Sequence, residues 1–128
     1  MPRRASVPRR TDAFLAFPGS AVLVRLLADK WTIPVIHALR RGTLRTGALR
    51  RALDGVSQKM LTHTLRTLEQ YGLVDRVTYA VVPPRVEYTL TPLGRSLNEP
   101  LAVLCRWTAR HGQALDAAHL ARSAKASR

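Results

Sequence analysis

The sequence predicts a mainly α fold carrying one small β-hairpin, with further helices on both sides of that unit. Three observations predict it. Apolar residues recur at helical spacing in several separate stretches, of which "SQKMLTHTLRTLEQYG" (57–72) is the most regular. The period changes to two in "RVEYTLT" (85–91), where Val86, Tyr88 and Leu90 alternate with Arg85, Glu87 and Thr89. Glycines, prolines and small capping residues fall between the stretches.

The elements follow in order. Residues 13–28, "AFLAFPGSAVLVRLLA", read as an apolar helix after Pro18 and Gly19. In "DKWTIPVIHALRRG", Asp29 caps the next helix and Pro34 lies near its first turn, where a missing N–H does little harm. Trp31, Val35, Ile36 and Leu39 make its inward stripe, with His37 partly buried beside them. Arg40 and Arg41 suit the negative end of the helix dipole, and Gly42 is a stop. "LRTGALRRAL" is a short helix capped by Thr46, with Leu49, Ala52 and Leu53 inward. "DGVS" is a tight glycine-containing turn. Ser57 then caps a helix seated by Met60, Leu61, Leu65 and Leu68 and ended by Gly72. "LVDRVTYA" and "RVEYTLT" are strands joined by "VVPPR", whose prolines fit a stiff tip rather than a central strand. Thr91 and Pro92 start a helix bearing Leu93, Leu97, Leu101, Leu104 and Thr108 on one face, kinked at Pro100. Gly112 separates a last short helix with Leu115, Ala118 and Leu120.

A chain of 128 residues with 46% apolar content suits one core, placed at 13–120. The ends, 1–12 and 121–128, are expected to be disordered basic tails. Net charge is +13, which points to a polyanionic partner. Without the first ten and last eight residues, 14 basic residues still face eight acidic ones. That whole excess lies between residues 40 and 95, with ten basic and four acidic residues.

Several classes are set aside. Cys105 is the sole cysteine, so no intrachain disulfide forms, which fits a cytoplasmic location. No apolar run approaches a membrane span of about 20 residues, and the N-terminus lacks a signal-peptide core. His37, His63, His111 and His119 do not make a metal set, so no metal or other cofactor is expected. No phosphate loop, nucleophile motif or close carboxylate pair appears, so an enzyme is not expected. Trp31 and Trp107 read as core anchors.

Helix, short helix, glycine turn, helix and hairpin together make a winged helix-turn-helix. In such a unit the second helix of the pair enters the major groove. Gln58, Lys59, Thr62, His63 and Arg66 lie on its outer side, over about 12 Å of helix. Glutamine can read adenine, and arginine or lysine can read guanine. Arg50 and Arg51 on the short helix are placed to hold phosphates, and a wing bearing Arg76, Tyr79, Pro83, Pro84 and Arg85 to reach phosphate or the minor groove. One such helix reads few base pairs, so a dimer with helices about 34 Å apart is expected. Leu93 to Leu104 and Val22 to Leu27 are the expected interface. The competing reading is a basic winged-helix protein associated with RNA or the ribosome, against which the low aromatic content of 5% weighs.

"DKWT", "LRRAL", "SQKMLTHTLRTLE", "GLV", "VPPRVEYTLTPLGRSL" and Trp107 resemble, in order and spacing, the HxlR-type transcriptional regulators, small winged-helix proteins related to the MarR group. The resemblance covers roughly residues 20–111. It implies a homodimer held by the first and last helices on an inverted-repeat operator, expected here to repress. It gives the recognition role to Ser57, Gln58, Lys59, Thr62, His63 and Arg66, and the wing role to Arg76, Thr78, Tyr79, Pro84 and Arg85. The implied interface is Val22, Leu23, Leu26, Leu27, Leu97, Leu101, Leu104, Cys105 and Thr108. Several relatives sense electrophiles or oxidants through a cysteine just before the first main helix. Pro18 stands about there in this chain, and Cys105 reads as a core or dimer residue. The expected partners are double-stranded DNA, a second copy and a small-molecule effector of unknown identity.

Overall fold

A computed structural model describes residues 13–127. The expected tail at 1–12 lies outside them. A short 3-10 turn, Phe14–Ala16, leads through Gly19 (φ 83°) into α1, Ser20–Ala28. Then come α2 (Thr32–Leu39), β1 (Leu44–Arg45), α3 (Thr46–Ala52), α4 (Gln58–Gln70), β2 (Val74–Tyr79), β3 (Arg85–Leu90), α5 (Pro92–Arg95) and α6 (Asn98–Ala126).

The fold is mainly α with a three-stranded antiparallel sheet in the order β1-β3-β2. β1 went unseen in the sequence because two residues carry no period. It pairs Leu44 with Tyr88 and Arg45 with Glu87. The hairpin is as expected, in unbroken register from Val74 opposite Leu90 to Tyr79 opposite Arg85.

The core forms where the apolar stripes of the helices meet the sheet. Val35, Ile36 and Leu39 of α2, Leu49 of α3, and Leu61, Leu65 and Leu68 of α4 are almost wholly buried with Val74. The turn between α3 and α4 is pinned from within: Leu53 and Val56 are buried on either side of Gly55, which takes a left-handed φ of 86°. Trp31 is buried as expected, but Ala52 and His37 are exposed. Thr46 is the first residue of α3 rather than its cap, a position held by Arg45.

The C-terminal part departs most from the expected layout. The helix started by Thr91 and Pro92 ends at Arg95, and α6 begins at Asn98. Pro100 therefore falls in the first turn of α6, where proline costs no hydrogen bond, and not in a helix interior. Gly112 does not divide the helix, and α6 continues over 121–126, where the sequence reading puts a disordered tail. An interior glycine costs only about 1 kcal/mol against alanine, and the alanine-rich sequence on either side outweighs it. α6 thus runs 29 residues, on the order of 43 Å, and Leu101 is its one buried residue.

Candidate nucleic-acid interface

The position of α4 is fixed from below and at both ends. Leu61, Thr64, Leu65 and Leu68 face the core at the i, i+3, i+4, i+7 spacing of one helical stripe. Met60, expected in that stripe, is 41% exposed, because it lies on the flank of the stripe that Leu61, Thr64, Leu65 and Leu68 make. Buried Thr64 replaces it, and its hydroxyl donates to Asp29 Oδ2 at 2.8 Å. Asp29 Oδ1 accepts the Trp31 N–H, also at 2.8 Å. Asp29 is therefore not the simple cap of α2, whose N-cap is Trp31. It ties the start of α2 to the middle of α4.

Ser57 caps α4 as expected, its Oγ accepting the Met60 N–H at 3.1 Å. At the other end Gly72 takes φ 73°. The Leu73 N–H reaches Leu68 O at 2.9 Å and the Gly72 N–H reaches Glu69 O at 3.0 Å, a Schellman closure. Ser57→Ala should lower stability by about 1 kcal/mol, read as a shift of the urea midpoint with unchanged slope.

On the outer side of α4, Gln58, Lys59, His63 and Arg66 are exposed and Thr62 partly so. Gln58 Nε2 donates to Thr62 Oγ1 at 3.2 Å, which lays the glutamine along the helix axis. The five residues share one face as expected. Arg50 and Arg51 are exposed on α3.

The wing residues divide between two faces, since neighbours in a strand point to opposite sides. Arg76 and Thr78 stand opposite Tyr88 and Val86 and share their face. Tyr79 and Arg85 lie on the other face with Glu87, and Pro84 is in the connecting loop. On the first face Arg76 Nε lies 3.3 Å from Glu69 Oε2, joining the wing to the end of α4. Between them is a groove of about 460 Å³ lined by Thr62, Arg66, Glu69, Gln70, Arg76 and Tyr88. Burial raises the pKa of the Tyr88 hydroxyl above its ordinary value, against the opposing pull of Arg76. The sequence shows Tyr88 only as a member of the period-two alternation, which does not single it out as a groove residue.

The apolar residues of α1 and α6 also separate. Leu26 and Leu101 are buried in the single chain and belong to its core. Val22, Leu23 and Leu97 are half-buried. Leu27 and Leu104 are 42% and 50% exposed, with Cys105 and Thr108 exposed beside them. Trp107, expected as a core anchor, is 49% exposed, and its ring lies tilted against His111 with centroids 5.3 Å apart. Val24, Val103, Leu115 and Leu120 are further exposed apolar residues of α1 and α6. Among the described residues no group of His, Cys, Asp and Glu is arranged to hold a metal ion, and no helix is long and apolar enough to cross a membrane.

Known proteins share this arrangement. A family profile described as HxlR-like helix-turn-helix matches residues 26–116. The HTH-type transcriptional regulator YtfH of Escherichia coli (strain K12) is 46% identical over 88 residues, 69% of this chain and 70% of that protein. The solved structure of a transcriptional regulator, ytfH, from Salmonella typhimurium superposes with a TM-score of 0.71 at 41% identity, covering 78% of this chain and 89% of the other. A MarR-family regulator from Enterococcus faecalis V583 gives 0.63 at 38% identity, covering 82% and 97%.

Proposed function

The chain belongs to the HxlR-like helix-turn-helix family of transcriptional regulators, and from that premise we propose that it binds double-stranded DNA sequence-specifically, as a homodimer on an inverted-repeat operator, and represses transcription. It acts in the cytoplasm and without enzymatic activity. The observation that carries this reading is α4: four buried residues seat it, while Gln58, Lys59, Thr62, His63 and Arg66 face outward beside the Arg76 groove. Ser57 at its tip, Arg50 and Arg51 on α3, and Thr78, Tyr79, Pro84 and Arg85 of the wing supply the flanking contacts.

The dimer rests on the uncovered apolar surface. A helix with one buried residue in 29 leaves Val103, Leu104, Trp107, Leu115 and Leu120 uncovered in the single chain, and helices draw most of their stability from packing their apolar residues. Val22, Leu23, Leu27, Leu97, Leu104, Cys105 and Thr108, with Val24 and Trp107, are the contacts of a second copy. Leu26 and Leu101 support them from the core.

In vitro selection from a random duplex pool tests the function directly. The expected product is a symmetric site whose halves are about one turn, roughly 34 Å, apart, and whose binding survives excess non-specific RNA. Equal competition by RNA would favour the RNA-associated reading. Light scattering at micromolar concentration should give twice the chain mass. A monomer at that concentration would remove the dimer.

A further inference from the structure

We propose that Arg45 and Arg85 form a phosphate grip on the outer face of the wing, and that Glu87 is the internal counterion that holds both and limits how strongly they engage DNA. The inference rests on the DNA-binding reading above. The register sets Arg45 directly opposite Glu87 across β1 and β3. It sets Tyr79 opposite Arg85 across β2 and β3. Four side chains thus share one face.

Both Glu87 oxygens are occupied. Oε1 accepts from Arg85 Nε at 2.8 Å and lies 2.6 Å from Arg85 Nη2 and 3.9 Å from Arg45 Nε. Oε2 accepts from the Tyr79 hydroxyl at 3.4 Å. The Arg85 guanidinium also sits 5.3 Å from the Tyr79 ring centroid, so it is held from two sides. The carboxylate is sunk, with 15% of its side chain exposed, while Arg45 and Arg85 are 57% and 44% exposed.

Exposed ion pairs add little to stability, and the ladder from Val74 to Tyr79 already holds this ribbon together. The consequence of the cluster is electrostatic. A guanidinium has five N–H donors in a fixed fork. Two of those on Arg85 are engaged by Glu87, so the others stay open to a phosphate. A phosphate arriving there competes with the carboxylate for the same positive charge. Glu87 is a positioning residue in this sense: it orients two cations and offsets their charge. Arg45 has no part in the contacts expected from the sequence, because only the pairing of β1 with β3 brings it to the wing.

The test is the salt dependence of binding to a mixed-sequence duplex, measured with the full chain from about 50 to about 200 mM salt. Glu87→Gln keeps the shape and removes the charge. It should steepen the slope of log affinity against log salt by about 0.9 for each phosphate newly engaged, and tighten binding on the order of threefold or more at the low-salt end. In an Arg45→Ala, Arg85→Ala background the same change should do neither. An unchanged slope, or an effect that persists without the two arginines, overturns the inference. Should Glu87→Gln fail to fold, Arg45→Ala alone decides: it should flatten the slope in the native background, and no change there overturns the grip. A native chain that binds no duplex at all would instead sink the DNA-binding reading itself.

Discussion

Gly94→Ala should lower the thermal unfolding midpoint by roughly 10 °C or more, although Gly94 is not itself among the proposed DNA contacts. A Cβ built on Gly94 would stand 2.0 Å from Leu73 O, 3.0 Å from Leu73 C and 3.2 Å from Leu90 Cδ2. Two of those atoms are backbone and cannot rotate away. Nor is Leu73 free to retreat. Its carbonyl accepts the Thr91 N–H at 3.1 Å, and its own N–H closes the C-terminus of α4 on Leu68 O. Thr91 Oγ1 donates to Gly72 O at 2.6 Å and accepts the Gly94 N–H at 3.0 Å. The start of α5 is therefore stitched to the last turn of α4, and one methyl must pry the two apart. Overpacking costs about 1–3 kcal/mol when side chains can adjust, and a backbone obstacle belongs at the upper end. At about 4 °C per kcal/mol for a domain of this size, that is a shift near 12 °C. The scans should be run at one protein concentration, because a dimer's midpoint depends on it. A loss of less than about 4 °C would mean that α5 slides off Leu73 without strain.

The same stitch separates what was legible in the sequence from what was not. Thr91, Pro92 and Gly72 are local signals: a cap, a first-turn proline and a helix stop each act through neighbours in the chain, and all three are used as expected. The need for glycine at residue 94 comes from Leu73, 21 positions earlier, and no spacing rule reports it. Helix α4 follows the same division. Its cap and its Leu61, Leu65 and Leu68 stripe follow from period and propensity. That Met60 lies outside the stripe and Thr64 inside depends on where the core ends and where Asp29 arrives from α2. The wing residues are marked in the sequence by type and charge, and Thr78 by the family resemblance alone. Their division into an Arg76 face and an Arg85 face follows from the strand register; Glu69 reaches Arg76 from α4, while Glu87 shares β3 with Arg85 and meets Arg45 and Tyr79 from the neighbouring strands. Interface residues are the hardest to tell from sequence, since a leucine on α1 or α6 looks the same whether it serves the core, like Leu26 and Leu101, or faces outward, like Leu27 and Leu104.

Arg66→Ala should remove most of the protein's preference for its selected duplex while leaving binding to a mixed-sequence duplex nearly as it was. Arg66 is exposed on the outer side of α4, with Thr62 one turn before it and the Arg76 groove beside it. The nearby carboxylate that could neutralise it, Glu69, is engaged 3.3 Å from Arg76 instead. Among the described residues Arg66 makes no ion pair of its own, so its guanidinium fork is open. A fork of that kind fits guanine O6 and N7, and such a bidentate pair discriminates against the wrong base by about 1–3 kcal/mol. Removing it should weaken the selected duplex by roughly 10- to 100-fold. Arg66→Lys sharpens the test, because it retains the charge and loses the planar fork. It should behave like alanine in discrimination but keep the native salt slope. Arg85→Ala is the contrast: as a phosphate contact on the wing it should weaken every duplex alike and flatten the salt slope by up to about 0.9. Fluorescence anisotropy with both duplexes, at two salt concentrations, reads all four quantities. If Arg66→Ala weakens both duplexes equally and flattens the slope, Arg66 holds a phosphate, and base reading on this helix falls to Gln58, Lys59 and His63.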